Sequence, residues 1–401
     1  MQAERAVEHA ARESYGRLVA YLAARARDVA AAEDALAEAF RAALSTWPRT
    51  GVPARPEAWL LVAARRHLID AARHARVRDA AAATLLAVAE EAEMAATDGA
   101  AFPDERLKLL FVCAHPAIEA AARTPLMLQT VLSLDAARIA SAFLVRPEAM
   151  GQRLSRAKAK IRLAGIGFDV PEAKELPARL EAVLEAIYAA YGSGWDDVAG
   201  ADPRLTGLAL EAIHLSRLLA RLLPAEPEAL GLLALMLFCE SRRAARRSAD
   251  GDYVPLSEQD ATRWSRPMLM EAEAALSAAA RLGRIGRFQL EAAIQSAHAQ
   301  GTTDWQAVAL LYEGLVRLAP TTGALVGRAA AVAEAHGAAA GWALLEAMPQ
   351  ASVAAYQPYW ALAAHLLKQL GRLEQCRAAY GRAMGLCEDE AMRAFLARRV
   401  P

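Results

Sequence analysis

Apolar residues recur along this chain at three- and four-residue spacings, segment after segment, which predicts amphipathic helices. Between Leu134 and Arg162 the pattern predicts a helix, a tight turn and a second helix. Asp135 can cap the first helix, and Ile139, Ala142 and Phe143 give it an apolar face. Leu144 and Val145 form the turn, and Pro147 suits the opening turn of the next helix, where its missing N–H costs nothing. There Met150, Leu154, Ala157 and Ile161 share one stripe, with Gln152, Arg153, Arg156 and Lys160 on the other side. Nearer the start, Leu36, Phe40, Ala43, Leu44 and Trp47 make an apolar stripe opposite Asp34, Glu38 and Arg41. From Ala58 to Asp79, Leu61 and Leu68 point one way. Arg66, Asp70 and Arg73 take the opposite face, flanked by Arg65 and Arg76.

Breaks in this pattern divide the chain. A first helical block covers residues 1–79 and is interrupted by a Pro- and Gly-rich loop, Ser45–Ala58. Residues 80–103 read as an Ala- and Glu-rich linker, 104–164 as the helix-turn-helix block, 165–177 as a second linker, and 178–401 as a large helical extension. Within the extension Tyr359–Met384 carries a Leu370-Gly371 turn with Tyr380 and Ala383 behind it, as a tetratricopeptide helix pair does. A weaker copy is expected around Trp305–Ala319, and Ala329–Leu345 reads as two short helices about a His336-Gly337 break.

The composition agrees with an all-α fold: 55% of the 401 residues are hydrophobic but only 6% aromatic, Ala dominates, and runs of strand-forming residues are nearly absent. The net charge of zero conceals local bias. Six basic residues and one acid lie between Arg146 and Arg162, and five arginines stand against one acid, Asp70, between Leu60 and Arg78. Guanidinium groups and a carboxamide on one helix face suit phosphates and the major-groove edges of guanine and adenine. Trp59, beside a loop, could receive an unstacked base or fill the core.

Cys113, Cys239, Cys376 and Cys387 match no metal or redox spacing and read as buried apolar residues in a reducing compartment. No signal peptide or membrane-length apolar run is present, so a cytoplasmic location without a membrane partner is expected. No nucleophile elbow, P-loop, zincin or dinucleotide motif occurs, so neither enzyme activity nor a cofactor or metal is expected. His214 and His298 lack ligand-spaced partners, and Asp250, Asp252, Glu258 and Asp260 read as a loop of capping carboxylates.

Together these segments resemble the extracytoplasmic-function group of bacterial sigma-70 factors, promoter-recognition subunits of RNA polymerase. AEDALAEAF (Ala32–Phe40) looks like region 2.2, which implies docking on core RNA polymerase through Asp34 and Glu38. AWLLVAARRHLIDAARHAR (Ala58–Arg76) is similar to regions 2.3 to 2.4, which implies −10 promoter contacts by Arg65, Arg66, Arg73 and Arg76. The helix-turn-helix block resembles region 4, which implies −35 contacts by Arg146, Gln152, Arg153, Arg156 and Lys158. Asp104–Leu128 and DGDYVPLSEQDATRWSR (Asp250–Arg266) resemble the subgroup with a tetratricopeptide-like extension. That extension is expected to gate activity, by covering the DNA faces or through an added polymerase, protein or ligand contact.

The chain departs from the pattern at three places. Leu132, Ser133, Leu134 and Asp135 replace the usual Gly-Gly-Leu-Ser, with Arg138 in place of an acid. Gly151 replaces Ala in a helix that also begins differently, at Arg146-Pro147-Glu148. Tyr191–Trp195 stands where the extension usually carries Asn-Glu-Gly. These departures leave two rivals in view: a DNA-binding regulator without polymerase docking, and a helical scaffold with a degenerate sigma half.

Overall fold

A computed structural model describes residues 2–74, 104–143, 145–172, 174–195, 203–300 and 302–401. The chain is all-helical: the described residues hold α-helices, a few 3-10 turns and one isolated bridge between Arg247 and Tyr253, with no strand. It divides into two compact units, the first comprising residues 1–194 and 204–215, the second 195–203 and 216–401.

The first unit begins with three packed helices, α1 (Gln2–Ala26), α2 (Val29–Thr50) and α3 (Pro56–His74). Asp28 starts α2 by accepting a hydrogen bond from the Ala31 N–H at 3.1 Å. The expected loop Ser45–Ala58 is mostly helical: α2 continues through Pro48 to Thr50, and α3 starts at Pro56. Buried Trp47, edge-on to Trp59 with ring centroids 5.5 Å apart, holds that last turn against α3, and the Gly51 N–H caps it on the Trp47 carbonyl. Trp59 is therefore a packing residue in this arrangement.

Helix α4 (Arg106–Cys113) buries all of Leu109–Cys113. Helix α5 (Ala120–Leu132) passes so close to α1 that a Cβ on Gly16 would lie 2.0 Å from the Val131 carbonyl oxygen. Only glycine admits that contact. Helix α5 ends at Ser133, whose φ of +56° is left-handed, and the Leu134 N–H returns to the Leu128 carbonyl. Then come α6 (Ala136–Ala142), capped by Asp135 at 2.8 Å from the Arg138 N–H, and α7 (Pro147–Leu163). Met150, Leu154, Ala157 and Ile161 of α7 are buried, the stripe the spacing predicts; Leu144 of the turn lies outside the described residues.

The stretch 165–177 is less detached than a linker, since Ile166 and Phe168 are buried. Beyond it, α8 (Leu176–Trp195) belongs to the first unit. Thr124 Oγ1 of α5 donates to the Ala186 carbonyl at 2.7 Å, and Arg179 donates to the Phe111 carbonyl at 2.7 Å. Helix α9 (Pro203–Leu222) adds Glu211, 3.1 Å from Arg138. The compact break thus falls within 194–216, later than the boundary at 178 expected from sequence.

In the second unit α10 (Pro227–Ser241) is buried on nearly all sides between α11 (Arg266–Arg281) and α12 (Arg287–Ala299). Gly231 lets α12 approach, since a Cβ there would meet the Gln289 nitrogen at 2.7 Å. Glu228 caps α12 by accepting from the Phe288 and Gln289 N–H groups at 2.9 and 3.1 Å. Further helix pairs follow: α13 (Trp305–Leu318) with α14 (Thr322–His336), α14 with α15 (Ala338–Glu346), then the single turn α16 (Gln350–Val353). Helices α17 (Gln357–Gln369) and α18 (Leu373–Gly385) pair about Gly371 (φ +74°), and α19 (Glu390–Arg399) closes the unit.

Candidate nucleic-acid interface

Exposure on α3 follows its apolar positions. Leu60, Leu61, Ala64 and Leu68 are buried, while Arg66 and Asp70 are exposed on the opposite side. Arg65 does not stand with Arg66. It is 5% exposed, because it lies four residues after Leu61 and three before Leu68, on the buried face. As a flanking DNA contact Arg65 is therefore corrected here to a core residue, its stem packed and its guanidinium inside the unit. Arg73 lies in α3, and Arg76 lies outside the described residues.

On α2 the acidic face is as the pattern predicts: Asp34 is exposed, and Glu38 is half-buried and paired with Arg41 one turn on. The spacing does not single out Glu33. Its carboxylate pairs with the Lys158 ammonium of α7, and the two side chains are only 14% and 13% exposed. Burial pushes the Glu33 carboxyl above the ordinary carboxylate range, against the opposing pull of Lys158. Alongside, Arg162 of α7 reaches the Asp28 carboxylate at 3.4 Å.

This gives α7 two unlike flanks. Gln152 and Arg156 are exposed, with Arg153 half-exposed and Lys160 exposed on the same side; Arg146 is exposed at the helix start. A row of this kind can contact phosphates and base edges. Lys158 and Arg162 belong to the other flank, turned toward α2. Lys158 is thus corrected from a groove-facing group to an internal ion-pair partner in this conformation. The signal was present: Lys158 stands four residues after buried Leu154 and three before buried Ile161.

The acidic loop of the second unit is occupied by the protein's own groups. Asp260 caps a 3-10 turn through the Thr262 N–H and hydroxyl, Asp252 lies 3.4 Å from Arg398, and Glu258 pairs with Arg399. Asp389 pairs with Arg247 and caps α19 through the Ala391 and Met392 N–H groups. Burial alone would raise the Asp389 carboxyl, but the Met392 N–H and Arg247 bring it below its ordinary value. Cys113, Cys376 and Cys387 are buried and Cys239 half-buried, all as free thiols; burial lifts the Cys113 thiol to about 12, which leaves it unreactive. No described helix is long and apolar enough to cross a membrane.

Comparison with known proteins places two family models on this frame. Sigma-70 region 2 matches residues 11–78, and a family of unknown function (DUF6596) matches residues 179–280. An uncharacterized protein of Rhizobium meliloti (strain 1021) is 40% identical over 397 residues, covering 96% of this chain and 92% of its own length. No solved structure matches. The region 2 match, from residue 11, covers α2, α3 and α1 apart from its first turns, and the second model begins inside α8.

Proposed function

We propose, for a chain that belongs to one family with the Rhizobium meliloti protein and carries the region 2 domain of the sigma-70 family, the function of a sigma factor: it binds core RNA polymerase and directs it to promoters. The observation that carries this reading is the region 2 match laid over α1–α3, which leaves Asp34 and Arg66 exposed on different helices. Asp34 and Glu38 dock the polymerase. Arg66, Arg73 and Arg76 hold the −10 element, and Arg146, Gln152, Arg153 and Arg156 read the −35 element from α7. The work is binding and positioning, without covalent chemistry.

The extension acts on region 4. Its support is the grip of α8 and α9 on α4–α6, through the Arg179–Phe111, Thr124–Ala186 and Arg138–Glu211 contacts. The remaining paired helices supply the tetratricopeptide-like surface for a further partner.

Co-elution of the full chain with core RNA polymerase on a sizing column tests the reading. A stable complex is expected, and Asp34→Lys with Glu38→Lys should weaken it at least about tenfold, as like charges replace complementary ones. Separate elution of the wild-type chain overturns the proposal. In the complex, Arg66→Ala should lower the salt slope of promoter binding by about one.

A further inference from the structure

The end of α10 and the turn after it, Glu240–Arg247, bring four guanidinium groups into eight residues. Arg243 forks onto the Glu240 carboxylate at 2.7 and 2.9 Å, and Arg247 pairs with Asp389. Arg242 is placed differently. It is only 8% exposed, yet its hydrogen-bond partners are neutral: the Gln295 Oε1 of α12 at 2.5 Å and the Cys239 sulfur at 3.9 Å, both met by Nη2. Its other terminal nitrogen, Nη1, is buried with no hydrogen-bond partner among the described residues, and none of their carboxylates pairs with Arg242. Arg242 follows the last turn of α10, whose C-terminal dipole offsets part of the charge. The remainder is a buried cation without a counter-charge, which folds seldom retain without a use.

The neighbours of Arg242 add donors. Gln295 gives its carboxamide oxygen to Arg242, which leaves its NH2 group to donate. His298, one turn further along α12, feels the Arg242 charge after its own burial and stands edge-on to Trp305 of α13, ring centroids 5.4 Å apart. Both are half-buried, so the approach to Arg242 along this face of α12 is partly open. Glu291, one turn before Gln295, is held by Arg287 at 2.7 Å. We propose that Arg242, Gln295 and His298 form a binding site for the carboxylate of a small organic acid. Nη1 and Nη2 of one guanidinium present the spacing of two carboxylate oxygens. The Gln295 oxygen stands where one of these would sit; turned about its last torsion, the carboxamide donates to the acid instead. Trp305 and His298 then flank the body of the acid and favour a flat apolar one. A monoanion cancels the single charge of Arg242, a closer match than a phosphate dianion. The site lies wholly in the second unit and does not depend on the sigma reading.

Titration calorimetry of the full chain with benzoate, acetate and inorganic phosphate tests the site, with thermal melting alongside. Benzoate should bind saturably and raise the melting temperature, with acetate weaker and phosphate weakest. Arg242→Met keeps the length of the side chain without its charge, and should lose benzoate affinity at least about tenfold. Gln295→Glu supplies the counter-charge from within the protein. That variant should melt above wild type in the absence of any acid and no longer respond to benzoate. Circular dichroism checks that both variants keep their helix content; should Arg242→Met not fold, Gln295→Glu decides alone. Absence of saturable benzoate and acetate binding by wild type overturns the proposal, and so does equal benzoate binding by wild type and Gln295→Glu. Phosphate binding more tightly than either acid overturns the carboxylate assignment. A Gln295→Glu variant that melts at or below the wild-type temperature also overturns it, because Arg242 then needs no counter-charge and internal water satisfies Nη1.

Discussion

Two side chains mark where reading by helix face goes astray. Arg65 and Lys158 are basic residues on basic helices, yet each falls four residues after one buried Leu (Leu61, Leu154) and three before another buried apolar residue (Leu68, Ile161). Charge assigns them to solvent, whereas helical phase assigns them to the core, and phase prevails. The same rule finds Gln152, Arg156, Arg66 and Asp70 outside, where the sequence puts them. Glu33 had no such signal, since its partner lies on a helix more than a hundred residues away. Ser133 is a departure with a visible cost: it holds a left-handed φ where the resembled family uses glycine. Ser133→Gly should stabilise the first unit by about 1 kcal/mol, read as a shift in urea midpoint, because the Cβ strain of that conformation disappears. A destabilised variant would mean the Ser133 side chain contributes more than its strain costs. Asp135→Ala, removing the cap of α6, should cost about 1 kcal/mol in the same assay.

Helices as elements were legible wherever a stripe was continuous, and their ends were not. Pro48, Gly51 and Pro53 signal a loop, but α2 runs on to Thr50 because Trp47 buries its indole against Trp59. Local breakers lost to tertiary packing. Helix α10 was hard to orient from its sequence for the opposite reason: it is apolar on all sides and has no polar face to read. Its fit against α12 depends on one absent side chain. Gly231→Ala should destabilise the second unit by about 1–3 kcal/mol, since the Gln289 backbone has to retreat; an unchanged melting temperature would show that α12 yields freely. On α12, burial first and the Arg242 charge second hold His298 below its ordinary value of 6.5, edge-on to Trp305. The folded state therefore keeps this imidazole neutral while the unfolded chain begins to protonate at 6.5. Its effect on stability is nil well above that pH, grows unfavourable as pH falls through it, and stays at its full size below the lowered folded value. His298→Gln should thus lose less stability than wild type between pH 7.5 and 5.5, measured by urea unfolding at both values; equal losses would remove His298 from the acid response.

At the scale of the molecule, the all-helical class was open to inspection in the shortage of strand-forming runs. The division of the chain was not, because a Gly- and Pro-containing stretch signals a change of direction and says nothing about which core the next helix completes. Residues 165–177 carry those marks, yet buried Leu180, Val183, Leu184 and Ile187 of α8 lie in the first unit. A chain cut after Phe168 is therefore expected to aggregate or lose cooperative unfolding, whereas one cut after Leu222 should stay soluble and melt cooperatively. Scanning calorimetry of the two truncations separates these outcomes. The family of unknown function, matched from residue 179, begins inside α8 and so contributes to the core of the unit that precedes it. For the history of such chains this has a plain meaning: recombination at the apparent seam would pass on a half that no longer folds, so the first unit and the helices that follow the seam are bound to be inherited together.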